Sequence, residues 1–148
     1  MNDDVWVLPR GPRREDTFQF QIERLDLKGL GAGSIPAKIG PQGEDRVYQV
    51  RVRKAVPGDV VIAEVEKCRK GRIDARILSF VERSAMRIKP RCRHFGRRGE
   101  ADKGCGGCTL QSLDQRHQLA IKEQIVKRLF AAEGLDPGLV QPVRGMDE

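Results

Sequence analysis

The chain has 148 residues, of which 39% are hydrophobic and 33% charged, and its formal net charge is +7. This length suits one ordinary domain, or one small domain with an appendage. No apolar run approaches the length of a membrane span, and the first residues lack the basic-then-apolar order of a secretory signal. We therefore expect a cytoplasmic protein that is a monomer and has no membrane partner.

The excess of basic residues predicts a polyanionic partner. Lys and Arg together number 28, against 21 for Asp and Glu, and the sequence pI is about 9.6. Basic surfaces gain affinity for nucleic acids because they release counterions from the phosphates. Nucleic acid is therefore the favoured partner, and a charge that serves solubility alone is the alternative.

Alternating apolar and polar residues predict five short strands between residues 15 and 84. The first contains Phe18, Phe20 and Ile22, and the others lie near residues 34–39, 48–53, 60–66 and 73–78. Glycine-rich stretches and turns such as VPGD at 56–59 separate them. Because closing so small a sheet removes its exposed edges, we expect a five-stranded OB-like barrel, preceded by a disordered tail at 1–14.

Basic residues recur at the outward-facing and turn positions of this predicted barrel. The set expected to bind RNA is Lys28, Lys38, Arg51, Arg53, Lys54, Arg72 and Arg76. One basic face of a small barrel suits a single-stranded or looped RNA. Aromatic residues make up only 5% of the chain, so base stacking has little support, and Phe20 and Tyr48 are expected in the core.

Three of the four cysteines lie in a glycine-rich, charged segment with the spacing C-x12-C-x2-C. Cys92, Cys105 and Cys108 supply three of the four thiolates of an iron–sulfur cluster. A Cys3His zinc site that adds His94 is a second interpretation, although C-x-H is tight spacing. A thioredoxin-like redox CGGC lacks the βαβ frame that such sites use, and unliganded reduced thiols remain open as well.

A long amphipathic helix is predicted after the cysteine segment. Apolar residues recur at about every fourth position from Leu113 to Leu129, and Ser112 with Gln115 has the spacing of a capping box. Gly134 is expected to end the helix, with Pro137 just beyond it. Such a stripe needs a surface to pack on, and the small barrel can cover only part of it.

Several stretches resemble bacterial RNA (uracil-5-)-methyltransferases. They read RLDLKGLGAGSI, VRKAVPGDVVIAEV, KPRCRHFG, GCGGCTLQ and QRHQLAIKEQIVKRL, and the resemblance covers roughly residues 18–148. The PGD turn is shared by TRAM domains generally, whereas CxHFG followed by CGGCxxQ and the helix is much more specific. The chain departs from the family in RRGEADKG, which lengthens the loop between Cys92 and Cys105; such an insertion costs little free energy.

The resemblance implies a domain order and a metal centre. It places an RNA-binding TRAM domain at 15–84, an iron–sulfur segment at 85–111, and a helix with the start of a central region at 112–148. Cys92, Cys105 and Cys108 match three ligands of the family's [4Fe–4S] cluster, and the fourth ligand is expected outside this chain. Cys68 matches no family ligand and is interpreted as structural, and His94 as a packing or hydrogen-bonding residue.

The resemblance also implies a reaction. Family members transfer a methyl group from S-adenosylmethionine to carbon 5 of a uridine in ribosomal or transfer RNA. Their cysteine nucleophile, carboxylate base and cofactor site belong to a C-terminal catalytic domain, so we expect this chain to be inactive by itself. The alternative from a different class is a stand-alone RNA-binding protein with a structural zinc site.

Overall fold

The computed structural model describes residues 6–95 and 104–146. In these residues the chain forms one mixed sheet of six strands and one α-helix. The strands are β1 (Thr17–Gln21), β2 (Arg24–Leu25), β3 (Gly31–Ile39), β4 (Glu44–Val52), β5 (Val60–Arg69) and β6 (Arg72–Glu82), the helix is α1 (Gln115–Ala132), and a 3-10 turn follows at Pro137–Leu139. A mostly β chain with one helix is therefore confirmed.

The strands lie in the order β1-β5-β6-β4-β3-β2. β4 and β6 pair in parallel, and the other neighbours pair antiparallel. The ladder between β5 and β6 is the longest and contains three irregularities, which bend these two strands. This bending gives the sheet a concave face that encloses the core.

A five-stranded barrel closed by hydrogen-bonded ladders is not confirmed. The described residues contain a sixth strand, β2, that alternation alone does not reveal, and no ladder joins β1 to β2 at the two edges of the sheet. These two strands are nevertheless consecutive, separated only by Ile22 and Glu23. The three Cα–Cα steps from Gln21 to Arg24 span about 11 Å at most, so the sheet must curve until its edges are neighbours.

The core lies inside this curved sheet and follows the alternation of the strands. Its members are buried apolar residues from the long strands and from the segments next to them: Leu8, Phe18, Phe20, Ile22, Ile35, Ala37, Tyr48, Val50, Val52, Ala55, Val61, Ala63, Val65, Ile73, Ala75 and Ile77. Phe18 and Phe20 meet edge to face, with ring centroids 6.1 Å apart. The expected core positions of Phe20 and Tyr48 are confirmed.

The glycines at the start of β3 allow close packing inside the sheet. Sequence alternation predicts a strand only from Ser34, yet the structure begins β3 at Gly31. A Cβ atom on Gly31 would lie 2.6 Å from the Cβ of Ala55, and one on Gly33 would lie 2.8 Å from the ring of Phe20. These positions have no space for a side chain, and therefore no apolar residue marks them as strand.

The segment 6–16, the N-terminal strap, is packed against the sheet, in contrast to the expected tail at 1–14; residues 1–5 lie outside the described residues. Leu8 is buried and pairs with Ala37 of β3, through N–H···O bonds of 2.9 and 2.8 Å. Asp16 accepts two hydrogen bonds from the Arg10 guanidinium and one from the Arg13 N–H. The strap therefore covers the part of the β3 edge that short β2 leaves open.

Helix α1 begins and ends with local hydrogen bonds. Its N-cap is Asp114, which accepts a 2.8 Å bond from the His117 N–H, so the predicted capping box at Ser112 is wrong by two positions. Gly134 follows the helix with φ +72°, and the Leu135 N–H reaches back to the Phe130 carbonyl at 2.8 Å, as in a Schellman motif. No helix of the described residues is long and apolar enough to cross a membrane.

Candidate metal centre and nucleic-acid interface

The cysteine segment is attached to one end of the sheet through a buried aspartate. Asp59 is fully buried in the turn before β5. Its carboxylate accepts hydrogen bonds from the Val56 N–H (2.8 Å), the Ser84 N–H (2.9 Å) and the Arg87 guanidinium (2.6 and 3.2 Å). Because Ser84 and Arg87 lie just after β6, Asp59 fixes the direction in which the chain leaves the sheet.

A second, smaller core continues this attachment. Leu25, Val56 and Leu113 are buried together, and Met86, Leu110 and Ile121 pack against them. The Ile88 N–H donates to the Ser112 carbonyl at 2.8 Å, and Arg87 pairs with Leu113 as an isolated bridge. The sheet, the cysteine segment and the start of α1 therefore share one apolar contact.

Further contacts fasten the segment to neighbouring turns. The Lys54 ammonium donates to the Phe95 carbonyl and lies 4.9 Å from the centroid of the Phe95 ring. The Arg128 guanidinium of α1 donates to the Leu25 carbonyl at 2.8 Å. We refer to the turns 26–30 and 53–59 with segments 84–95 and 104–113 as the cysteine end of the sheet.

The two parts of the cysteine segment are hydrogen-bonded to each other. The Cys105 N–H donates to the His94 carbonyl at 2.7 Å, and the Cys92 N–H donates to the Gln111 side-chain oxygen at 3.1 Å. Residues 96–103, which hold most of the lengthened loop, lie outside the described residues. The described backbone thus brings the Cys92 turn against the CGGC turn.

The thiols of this segment are reduced and accessible. Cys105 and Cys108 are exposed and Cys92 is half-buried. The Cys92 sulfur accepts from the His94 N–H, and the Cys105 sulfur accepts from the Gly107 N–H, both at 3.4 Å. Backbone donors at sulfur are therefore present, as expected for the glycines of CGGC, and a Cβ at Gly106 would meet nothing within 4 Å.

The three cysteines have the chemistry of iron–sulfur ligands, but their side chains do not converge on one point. Free thiols are the ligands of such clusters, and N–H···S bonds tune them. However, no group of three His, Cys, Asp or Glu side chains within 6–95 and 104–146 is placed to hold a metal ion. This applies equally to the zinc set with His94, whose Nε2 lies 3.2 Å from the Arg93 Nε.

Cys68 lies in β5 and pairs in register with Ile73 of β6. Its residue is exposed, but partial desolvation raises the pKa of its thiol, and the nearby Arg46 guanidinium acts in the opposite direction. A raised pKa lowers the fraction of reactive thiolate at neutral pH. The Cys68 thiol is therefore less reactive at neutral pH than a thiol of ordinary pKa.

Most of the basic residues predicted to bind RNA already have carboxylate partners. The pairs are Lys38–Asp45, Arg51–Asp26 (3.2 Å), Arg53–Glu66 (2.9 Å), Arg72–Asp74 (3.7 Å) and Arg76–Glu64 (2.7 Å). The Asp26 oxygen that faces Arg51 has no hydrogen bond of good geometry, so that contact is ionic. Lys54 contacts the carbonyl and ring of Phe95 in place of a carboxylate. The Lys28 side chain has neither kind of partner among the described residues.

Sequence reasoning missed the attachment of the cysteine segment. Asp59 appeared only as the last residue of a VPGD turn, although an aspartate in a turn is a signal for side-chain to backbone bonding. The partner Arg87 lies 28 positions further on, and no local pattern links the two. The ion pairs across the sheet depend on strand register, which the sequence does not specify.

Comparison with known proteins finds that this chain is similar to part of several RNA methyltransferases. It is 35% identical over 115 residues to an uncharacterised RNA methyltransferase of Caldanaerobacter subterraneus subsp. tengcongensis, covering 78% of this chain and 22% of the relative. It is 32% identical over 129 residues to the 23S rRNA (uracil(1939)-C(5))-methyltransferase RlmD of Cupriavidus metallidurans, covering 86% and 25%. The 23S rRNA (uracil(747)-C(5))-methyltransferase of Pyrococcus abyssi is 38% identical over 107 residues, covering 72% and 23%.

No protein-family model matches the chain. The relatives nevertheless agree with the resemblance carried by the PGD turn, the cysteine segment and the helix. The chain belongs to the RNA (uracil-5-)-methyltransferase family. It spans about a quarter of the length of the curated relatives it matches.

Proposed function

We propose that this chain is the RNA-binding, [4Fe–4S]-carrying N-terminal part of an S-adenosylmethionine-dependent RNA uridine C5-methyltransferase. Its substrate class is ribosomal RNA, with transfer RNA as the alternative. The domain order is a TRAM domain at 15–84, a cluster segment at 85–111, and a helical region from 112 that continues toward the catalytic part. The observation that carries the proposal is the hydrogen-bonded approach of the Cys92 turn to CGGC in a chain related to these enzymes.

In this proposal Cys92, Cys105 and Cys108 are the cluster ligands, and the fourth ligand comes from outside the chain. The cluster itself supplies a rigid cross-link between two turns. The Gly107 and His94 N–H groups stabilise the sulfur charge. Asp59, Arg87 and Lys54 hold this cross-linked segment on the sheet.

In this proposal the predicted basic residues bind the RNA backbone by exchanging their carboxylate partners for phosphates. An exposed ion pair contributes only about 0–1 kcal/mol to stability, so a phosphate can replace the carboxylates of Lys38, Arg53 and Arg72 at small cost. The half-buried pair of Arg76 with Glu64, which has two contacts, costs more to exchange. Lys28 needs no exchange. Arg51 and Lys54 are less exposed, and they position the turns near the RNA.

Anaerobic reconstitution with iron and sulfide tests the metal centre. The parent chain and the control Cys68→Ser are expected to bind iron and sulfide. Both are expected to show the broad visible absorption band of iron–sulfur proteins. Cys105→Ser and Cys108→Ser are expected to lose both, because each removes one of three ligands.

Limited proteolysis adds a second measurement on the same proteins. The segment 90–111 is expected to become more sensitive to protease in Cys105→Ser, while the sheet stays resistant. Neither iron nor zinc in any preparation would contradict the metal centre. One equivalent of zinc in colourless protein would identify the stand-alone zinc-binding alternative instead.

A methyl-transfer assay tests whether the catalytic groups lie outside this chain. The chain alone, mixed with S-adenosylmethionine and ribosomal RNA, is expected to transfer no methyl group, because the catalytic groups of the family lie elsewhere. Methylation by the isolated chain would contradict this assignment.

A further inference from the structure

The end of the sheet opposite the cysteine segment carries a cluster of basic residues. The tip of the β5–β6 hairpin lies beside the middle of β4, because the Gln49 N–H donates to the Gly71 carbonyl at 2.9 Å. The N-terminal strap reaches the same region, since Val65 and the residues Glu15 and Asp16 exchange two 2.8 Å backbone bonds. We refer to this region as the hairpin end. Its basic residues without a carboxylate partner in 6–95 and 104–146 are Arg13, Arg14, Arg46, Lys67, Arg69 and Lys70.

The hairpin end has a large excess of uncompensated positive charge. None of its six basic residues forms an ion pair with another described residue. Four carboxylates of the region are already paired, with Arg10, Lys38, Arg53 and Arg72. The carboxylates left over are Glu15 and Glu44, both exposed. This leaves six cations against two carboxylates, whereas Arg51 and Arg76, elsewhere on the sheet, each face a carboxylate.

The hairpin holds its cations on a rigid support. Lys70 and Gly71 both have positive φ, 49° and 76°, as in a type I′ turn of two residues between paired strands. Arg69 and Arg72 close the ladder on either side of this turn. Lys67, Arg69 and Lys70 are all exposed. Cations on a tight hairpin lose less freedom on binding than cations on a flexible loop.

The region offers charge without a surface for base stacking. Among the described residues, the aromatic side chain next to the hairpin tip is Tyr48, which is buried, and the Arg46 guanidinium lies over its ring at 5.3 Å. The exposed Trp6 lies at the other end of the strap, two residues before Leu8. Bases are read through hydrogen-bonding edges or aromatic faces, whereas cations contact phosphates regardless of sequence. The hairpin end therefore suits the backbone of a nucleic acid rather than its bases.

We propose that the hairpin end is a second contact for single-stranded RNA, which binds the phosphate backbone without sequence preference. This inference rests on the proposed RNA-binding function and adds these six residues to the seven predicted ones, of which Lys38 and Arg72 lie in the same region. An RNA that contacts both the hairpin end and Lys28 or Lys54 would run along the sheet.

Binding of a fluorescently labelled oligouridine across a range of salt concentrations tests this proposal. The variant Lys67→Gln/Arg69→Gln/Lys70→Asn removes three hairpin cations. The control Arg116→Gln/Lys122→Gln/Arg144→Gln removes the same charge from exposed positions in and after α1. Circular dichroism checks that both variants remain folded, and the full chain, reconstituted with iron and sulfide, is used throughout.

The plot of log affinity against log salt is expected to be less steep by about 2 for the hairpin variant, because each lost phosphate contact contributes about 0.7 on single strands. This corresponds to about 100-fold weaker binding at 0.1 M salt. The control is expected to keep most of the parent slope, and oligoadenosine is expected to bind as oligouridine does.

Equal losses in the hairpin and control variants would overturn this inference and leave the proposed function standing. A strong preference of the parent for one base that disappears in the hairpin variant would also overturn it. No binding of RNA by the parent chain would overturn both proposals.

Discussion

The cysteine end and the hairpin end of the sheet use their basic residues in different ways. At the cysteine end, Arg87, Lys54 and Arg128 are each bound to a carboxylate or a carbonyl of a neighbouring segment. At the hairpin end, Lys67 and Lys70 have no carboxylate partner among the described residues. The comparison teaches that net charge does not locate a binding surface, since cations that hold the fold together are unavailable to a ligand.

Substitution of Asp59 should disrupt the cysteine end most strongly. Asp59→Asn keeps the shape of the side chain but leaves Arg87 without its counter-charge in a buried site. Breaking a buried pair in this way costs about 3–5 kcal/mol. Urea unfolding should show this loss, with faster proteolysis of residues 84–95.

The matched control is Asp74→Asn, which removes the partner of Arg72 in an exposed pair of 3.7 Å. It should cost no more than about 1 kcal/mol. Equal destabilisation by the two substitutions would show that Asp59 does not anchor the segment.

A smaller effect is expected from filling the close contact beneath the cysteine end. Gly31→Ala places a Cβ 2.6 Å from that of Ala55, and overpacking of this kind costs about 1–3 kcal/mol. Thermal unfolding measures the loss. Gly106→Ala is the control, because its Cβ meets no atom within 4 Å, and it should leave stability unchanged; a stable Gly31→Ala protein would contradict the packing.

The smallest effect is expected in the N-terminal strap, at the hairpin end. The Arg10 side chain lowers the pKa of Asp16 below its usual 3.8, assisted by the Arg13 N–H and opposed by desolvation. A lowered pKa in the folded state means that the stabilisation is present above about pH 4 and is lost as the pH falls through the folded value.

Asp16→Asn should therefore reduce the loss of stability as the pH falls below about 4. At the lowest pH the variant and the parent should differ little in stability. Unfolding midpoints measured from pH 7 down to pH 3 check this expectation. Asp45→Asn, at an exposed ion pair with Lys38, is the comparison. An unchanged acid-side slope in Asp16→Asn would contradict a role for the carboxylate in holding the strap.

The sequence predicts those parts of the fold that depend on local pattern. Alternation locates the buried faces of the long strands, and Gly134 marks the end of α1 correctly. β2 escapes detection because two residues show no period, and Gly31 hides the start of β3 because it has no side chain. The N-terminal strap escapes because one buried leucine among prolines and arginines resembles an unstructured tail.

The sequence predicts which residue types form the candidate site, but it does not predict which carboxylates pair with its basic residues. Lys38 faces Asp45 and Arg76 faces Glu64 only because β3–β4 and β5–β6 pair in one particular register. A shift of one residue would change each partner. The family resemblance predicts the cysteine ligands, which stay a prediction, whereas the buried link from Asp59 to Arg87 depends on the folded path of two turns.

The short connection between β1 and β2 has a consequence for association between copies of the chain. Exposed strand edges present unpaired N–H and C=O groups that can recruit another polypeptide and lead to aggregation. Here the two outermost strands are joined by Ile22 and Glu23, and Leu8 occupies the neighbouring stretch of β3. The strap thereby covers the stretch of β3 beyond β2, and loss of Leu8 would expose a template for intermolecular strand addition there.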